Sequence, residues 1–207
     1  MNIRVTRDTS YIRVFNATTN SDEFDVYIND KPIFLNVRYK GFVPYVPTFP
    51  GNYKVKVYDS KDSENLILEQ DIKIAGGNVG TLVIAGVMPK LMMLAVFEDP
   101  NEKARSLNAK FRIAHLSPTT EPVDLIVNGV KMIDEVPFGK RTNYAEVPSG
   151  VYDFKIEESL DDLNREKISI NKRVELKDNK IYTIYLVGDI SDIELIQSLD
   201  IITYMNN

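Results

Sequence analysis

Along most of this chain, apolar residues recur at every second position. In FDVYIN, Phe24, Val26 and Ile28 alternate with Asp25, Tyr27 and Asn29, the period of a strand that turns one face to a core. VDLIVN repeats it, with Val123, Leu125 and Val127 against Asp124, Ile126 and Asn128. YKVKVY sets Tyr53, Val55 and Val57 inward, and YDFKIE answers with Tyr152, Phe154 and Ile156. Asn29-Asp30 and Asn128-Gly129 fall where a tight turn should close a hairpin, because these residues tolerate positive φ. PGNY and PSGVY mark a second shared turn, and AGGNVG (75–80) joins two strands. Helical periodicity is absent, apart from a turn expected within 157–167.

The strands come in two sets. IRVFNATTNSDEFDVYIND (12–30) lies over FRIAHLSPTTEPVDLIVNG (111–129) without a gap, at an offset of 99 residues from Asp25 to Asp124. Val37 then falls on Val136, Tyr45 on Tyr144, Gly51 on Gly150 and Tyr53 on Tyr152. GTLVIAG (80–86) matches YTIYLVG (182–188) at an offset of 102, so the second copy carries a three-residue insertion. The chain is therefore a tandem repeat, expected to divide into residues 1–100 and 101–207 within the polar stretch EDPNEKARSLN (98–108). With about seven short strands per copy, the prediction is all-β: two tandem immunoglobulin-like or transthyretin-like antiparallel β-sandwich domains.

HLSPTTEPVDLIVNG (115–129) resembles the opening signature of a bacterial family known as domain of unknown function 4397. VPSGVYDFKI and YTIYLVGDI are similar to its later strands. The second copy carries the signature as His115, Ser117, Pro118, Pro122, Asp124, Asn128 and Gly129. The first departs from it, with Asn16 for the histidine, Thr18-Thr19 for Ser-Pro and Asp30 for the glycine. The resemblance implies a β-sandwich that often occurs in tandem and is often exported or attached at the cell surface. It brings no activity.

Charge narrows the partners. Lys and Arg number 25 against 30 Asp and Glu, a net charge of -5, so no basic field matches nucleic acid. Cysteine is absent, which removes disulfides, thiolate metal sites and a cysteine nucleophile. MNIRVTRDTSYIRVF holds no apolar run of the length a signal peptide or membrane span needs. The expected location is cytoplasmic, with a spore or cell envelope layer assembled from inside the cell as the alternative.

Candidate chemistry centres on His115, the only histidine. A general-base reading would pair it with Ser117 or Asp124 as nucleophile and orienting acid. Asn16 at the equivalent position of the first copy argues for a turn-bridging hydrogen bond instead, since asparagine donates and accepts but shuttles no proton near neutral pH. Arg13 with Asp25, and Arg112 with Asp124, recur at equal spacing and are expected to form cross-strand ion pairs bracing the first hairpin. The acidic stretches 62–65, 157–163 and 189–194 lack the spacing of a calcium loop, and no glycine-rich phosphate loop precedes a helix. No cofactor and no metal are expected.

YKGFVPYVPTF (39–49) gathers Tyr39, Phe42, Tyr45 and Phe49, more aromatics than one small core absorbs, and is the candidate interaction surface. The tail IITYMNN (201–207) is expected to add an edge strand, beside NIRVTR or against another chain in a homo-oligomer. The favoured reading is a non-enzymatic structural or binding protein that presents loops and edges to a protein partner or envelope polymer, without membrane insertion. A carbohydrate-binding module is the alternative, and an enzyme centred on His115 the third reading.

Overall fold

The computed structural model describes residues 9–19, 23–99, 101–159 and 167–204. Strand runs through most of them, and the chain divides after Glu102 into two compact units. The first holds β1 (Ser10–Thr19), β2 (Glu23–Ile28), β3 (Lys31–Arg38), β4 (Val46–Thr48), β5 (Gly51–Asp59), β6 (Asp62–Ile74), β7 (Val79–Val87) and β8 (Lys90–Glu98). The second holds β9 (Asn108–His115), β10 (Val123–Val127), β11 (Val130–Val136), β12 (Ala145–Pro148), β13 (Gly150–Glu158), β14 (Ser169–Leu176), β15 (Ile181–Val187) and β16 (Glu194–Leu199). Among the described residues each unit thus has eight strands rather than about seven.

The two units share one topology. Sheets β4-β1-β7-β8 and β3-β2-β5-β6 form the first sandwich, and β12-β9-β15-β16 and β11-β10-β13-β14 the second. One departure from a purely antiparallel sandwich recurs: β1 pairs with β7, and β9 with β15, in parallel. A parallel pair needs a crossover. The intervening strands supply it, because the chain leaves the first sheet for β2 and β3, crosses back for β4, completes the opposite sheet with β5 and β6, and returns beside its starting strand.

Alternation decides the cores. Ile12, Val14, Leu82, Ile84 and Met93 from one sheet meet Phe24, Val26, Phe34, Val37, Val55, Val57 and Ile74 from the other. In the second unit Phe111, Ile113, Ile184 and Leu186 meet Leu125, Val127, Phe154 and Ile156, with the Phe111 and Phe154 rings 5.0 Å apart. Burying one such side chain contributes about 1.5–3 kcal/mol.

The turns follow their residues. Asn29 and Asp30 have φ of 48° and 60°, and Asn128 and Gly129 have 48° and 81°; both two-residue loops are therefore of the type I′ class that matches strand twist. Each asparagine also accepts a hydrogen bond on Oδ1 from the neighbouring strand, from Lys54 N and Asp153 N, at 2.9 Å. At the second shared turn the Tyr53 hydroxyl donates to Phe49 O at 2.7 Å and the Tyr152 hydroxyl to Pro148 O at 2.5 Å. These two tyrosines pin the chain where it enters β5 and β13.

The tail differs from expectation. Ile201–Tyr204 forms a short 3-10 turn rather than a strand, held because Ile202 is buried and the Thr203 hydroxyl accepts from Ile181 N at 3.0 Å. The NIRVTR segment, residues 205–207 and most of the turn expected in 157–167 lie outside the described residues.

Candidate functional site

His115 ends β9 with its ring fully buried. Its Nδ1 accepts from Ser117 N at 3.3 Å, which assigns the ring proton to Nε2. That N–H points at Glu121 O (3.3 Å) and Thr120 Oγ1 (3.2 Å), while the Thr120 hydroxyl donates onward to Ser117 O. Burial pushes the imidazole down to about 4, outweighing the acceptor carbonyl of Glu121 and the charge of Glu158. The ring is therefore neutral at pH 7 and closes the 116–121 loop on itself. Ser117 Oγ is buried and makes no hydrogen bond, so serine and histidine are not arranged as nucleophile and base.

Asn16 performs the same task in the first unit. Its Oδ1 accepts from Thr18 N (3.0 Å) and the Thr18 hydroxyl (2.6 Å), and its Nδ2 donates to Val37 O. The acceptor two residues before the bound N–H is common to both units; the ionisable ring is not.

The expected Arg–Asp ion pairs are absent, because the partners stand on different sheets. Asp25 Oδ1 accepts from Asn36 N and the Ser60 hydroxyl, each at 2.8 Å. Asp124 Oδ1 accepts from Glu135 N at 2.9 Å and from the Ser159 hydroxyl. Asn36 and Glu135 occupy left-handed backbone, φ 53° and 49°, where β3 and β11 shift register. The aspartate thus captures the N–H that a bulge frees from the ladder. Lys131 adds an ion pair to Asp124 at 2.6 Å. Burial alone would raise the Asp124 carboxyl, but Lys131, Ser159 and Glu135 together hold it down to about 2.

The arginines face the other way. Arg13 Nε donates to Thr81 Oγ1 at 2.9 Å, and its guanidinium lies 4.4 Å from the Phe42 ring and 4.6 Å from that of Tyr45. Arg112 Nε donates to Thr183 Oγ1 at 2.9 Å, with the guanidinium 4.4 Å from Tyr144 and Nη2 3.5 Å from Asp200. The tyrosine hydroxyls complete the pattern, Tyr45 to Glu98 at 2.6 Å and Tyr144 to Asp200. Arginine, threonine, tyrosine and acid recur at matching positions in both units. Cation–π contact and hydrogen bonds to the acid hold these groups in place.

Of the aromatic segment 39–49, Phe42 stacks on Phe15 with ring centres 4.0 Å apart, and Tyr45 is tied to Arg13 and Glu98. Tyr39 is half-buried beneath Lys40. Phe49 alone stands out, at 74% exposure.

A different surface gathers exposed apolar side chains in the first unit, while Leu107, Val130, Met132, Val151 and Ile190 are exposed in the second. On the outer face of β3-β2-β5-β6, Ile33 and Leu35 are exposed at the edge strand, Tyr27 and Tyr58 meet edge to face at 5.0 Å, and Leu66 is exposed opposite Tyr58. The second unit has Ile126, Met132, Asp134 and Glu157 where the first has Tyr27, Ile33, Leu35 and Tyr58. The sequence signal for this face is Ile33-Phe34-Leu35, a break in alternation that makes both sides of β3 apolar. Ion pairs flank it, Lys54 with Glu69 and Lys56 with Asp30, each at 2.6 Å.

Among the described residues, no group of three or more His, Asp or Glu could hold a metal ion, and no helix is long and apolar enough to cross a membrane.

Two solved structures are similar to the chain at 12% identity over 88% of its length. They are the Bacillus anthracis TIE protein (TM-score 0.29) and a leucine-rich repeat protein from Bacteroides thetaiotaomicron (TM-score 0.25). The chain spans 34% and 26% of those two proteins. No curated protein matches it. Residues 10–125 and 109–202 each match the family described as domain of unknown function (DUF4397). His115, which closes the loop after β9, and Asp124, which holds the bulge of β11, lie within the matched residues, and the chain belongs to the DUF4397 family.

Proposed function

We propose that this chain is a non-enzymatic binding protein that engages a protein partner through the outer face of β3-β2-β5-β6. One observation carries the reading: Tyr27, Ile33, Leu35, Tyr58 and Leu66 gather on that face in the first unit, while the second unit folds the same way with Asp134 and Glu157 at two of those positions. The fold therefore does not require apolar residues at the Leu35 and Tyr58 positions, and exposed apolar patches of this kind mark interaction sites. The tyrosines cross at 68° and offer no flat platform for a sugar ring, which favours a protein over the carbohydrate alternative. His115, buried and neutral near pH 7, supports the non-enzymatic reading.

The test is photocrosslinking in the native host, with the crosslinker placed in turn on β3 and on the equivalent positions of β11. Crosslinks to a specific protein from β3 alone, lost in the Ile33→Lys, Leu35→Asp variant, are the expected result. Both side chains are exposed, so the variant should fold and melt as the parent does. Crosslinks from β11 alone, or a variant that keeps its partners, would overturn the assignment.

A further inference from the structure

The two type I′ turns differ in one respect that is chemical rather than conformational. Asn29 is followed by Asp30, and Asn128 by Gly129, in the only Asn-Gly step of the chain. Both asparagines are exposed, both have φ of 48°, and both accept a strand N–H on Oδ1 at 2.9 Å. A Cβ built on Gly129 would meet nothing within 4 Å, and Gly129 is itself exposed.

We infer that Asn128 is a self-modification site that the folded hairpin holds closed and unfolding opens. In the reaction the Gly129 backbone nitrogen attacks Asn128 Cγ, the new C–N bond closes a five-membered imide, and the side-chain nitrogen leaves as ammonia. Water then opens the ring at either carbonyl, giving aspartate or isoaspartate. No oxidant or reductant is involved.

The attack needs the following nitrogen to swing toward the side chain. In the left-handed conformation of a type I′ turn that nitrogen points away from it, and the Asp153 N–H pins the carboxamide against β13. The chain must leave the turn to react. Unfolded, Gly129 carries no Cβ to hinder the approach, whereas Asp30 hinders it at the first turn. Isoaspartate adds one backbone methylene within the turn that pairs Val127 with Val130, so a chain converted to isoaspartate cannot rebuild the two-residue hairpin. The turn that sets the β10–β11 register is thereby also a one-way record of unfolding.

The full-length chain would be incubated at mildly alkaline pH, with and without urea, and mapped by peptide mass spectrometry and isoaspartyl methyltransferase labelling. In urea the peptide containing Asn128 should gain one mass unit and methyl acceptor, while that containing Asn29 stays unchanged. Without urea conversion should be about 100-fold slower or more, set by how rarely the hairpin opens. Equal rates in the two conditions, or no conversion in urea, would overturn the inference. Gly129→Asp copies the first turn, which shows that aspartate is accepted there at φ 60°. That variant should fold and stop converting in urea; continued conversion would also count against the site.

Discussion

At the scale of single residues, His115 and Asn16 show one structural task done by two chemistries. Both accept the N–H two residues on, but only histidine makes that bond depend on pH. The folded imidazole sits at about 4 against an ordinary 6.5. Above pH 6.5 neither state is protonated and the second unit keeps its full stability. Between pH 6.5 and 4 the unfolded chain takes up a proton that the folded chain refuses, so stability falls as pH falls, by on the order of 3 kcal/mol in all. His115→Asn should cost about 1–2 kcal/mol at pH 7 through lost ring contacts and the Nε2 bonds, and should flatten this slope. Urea denaturation across the pH range reads both. An unchanged slope would show that another group carries the acid sensitivity.

Asp124 acts lower on the scale. Its stabilisation is present above pH 3.8 and is lost as pH falls toward 2. Asp124→Ala strands the Glu135 N–H and the Ser159 hydroxyl, and should cost about 1–3 kcal/mol at neutral pH. Asp25→Ala should cost less, because Asp25 is only half-buried and water can replace it. Chemical denaturation of the two variants side by side checks the order.

Among the elements, turns and bulges do as much as strands. The tyrosines that enter β5 and β13 each donate to a carbonyl four residues upstream, so Tyr152→Phe should lose about 1 kcal/mol while keeping its ring in place. A melting temperature equal to the parent's would place that bond in the water-exchanged class. Strand positions and type I′ turns were legible because period-two alternation and Asn-Gly or Asn-Asp steps are local signals. The bulges at Asn36 and Glu135 were not. A bulge is a property of a paired strand, and neither residue announces it alone. The same gap explains the Arg–Asp pairs: equal spacing along the chain was visible, but whether two side chains share a sheet face depends on where the chain crosses between sheets.

For the molecule as a whole, each unit packs its own core. Phe154→Ala should cost about 3–5 kcal/mol by opening a cavity beside Phe111, seen as lost amide protection along β9 to β16 in hydrogen exchange. The sequence by itself determined that there are two copies, that both are sandwiches, and which positions are core. Alternation and self-similarity are one-dimensional patterns, and burial on one face imposes them directly. Only the tertiary structure decided that β1 and β7 run parallel, that Phe42 and Tyr45 are spent on Arg13, and that the exposed apolar face lies on β3-β2-β5-β6 instead. Those outcomes depend on which strands become neighbours across a sheet. The chain encodes that choice through many weak contacts distant in sequence, so no short stretch displays it.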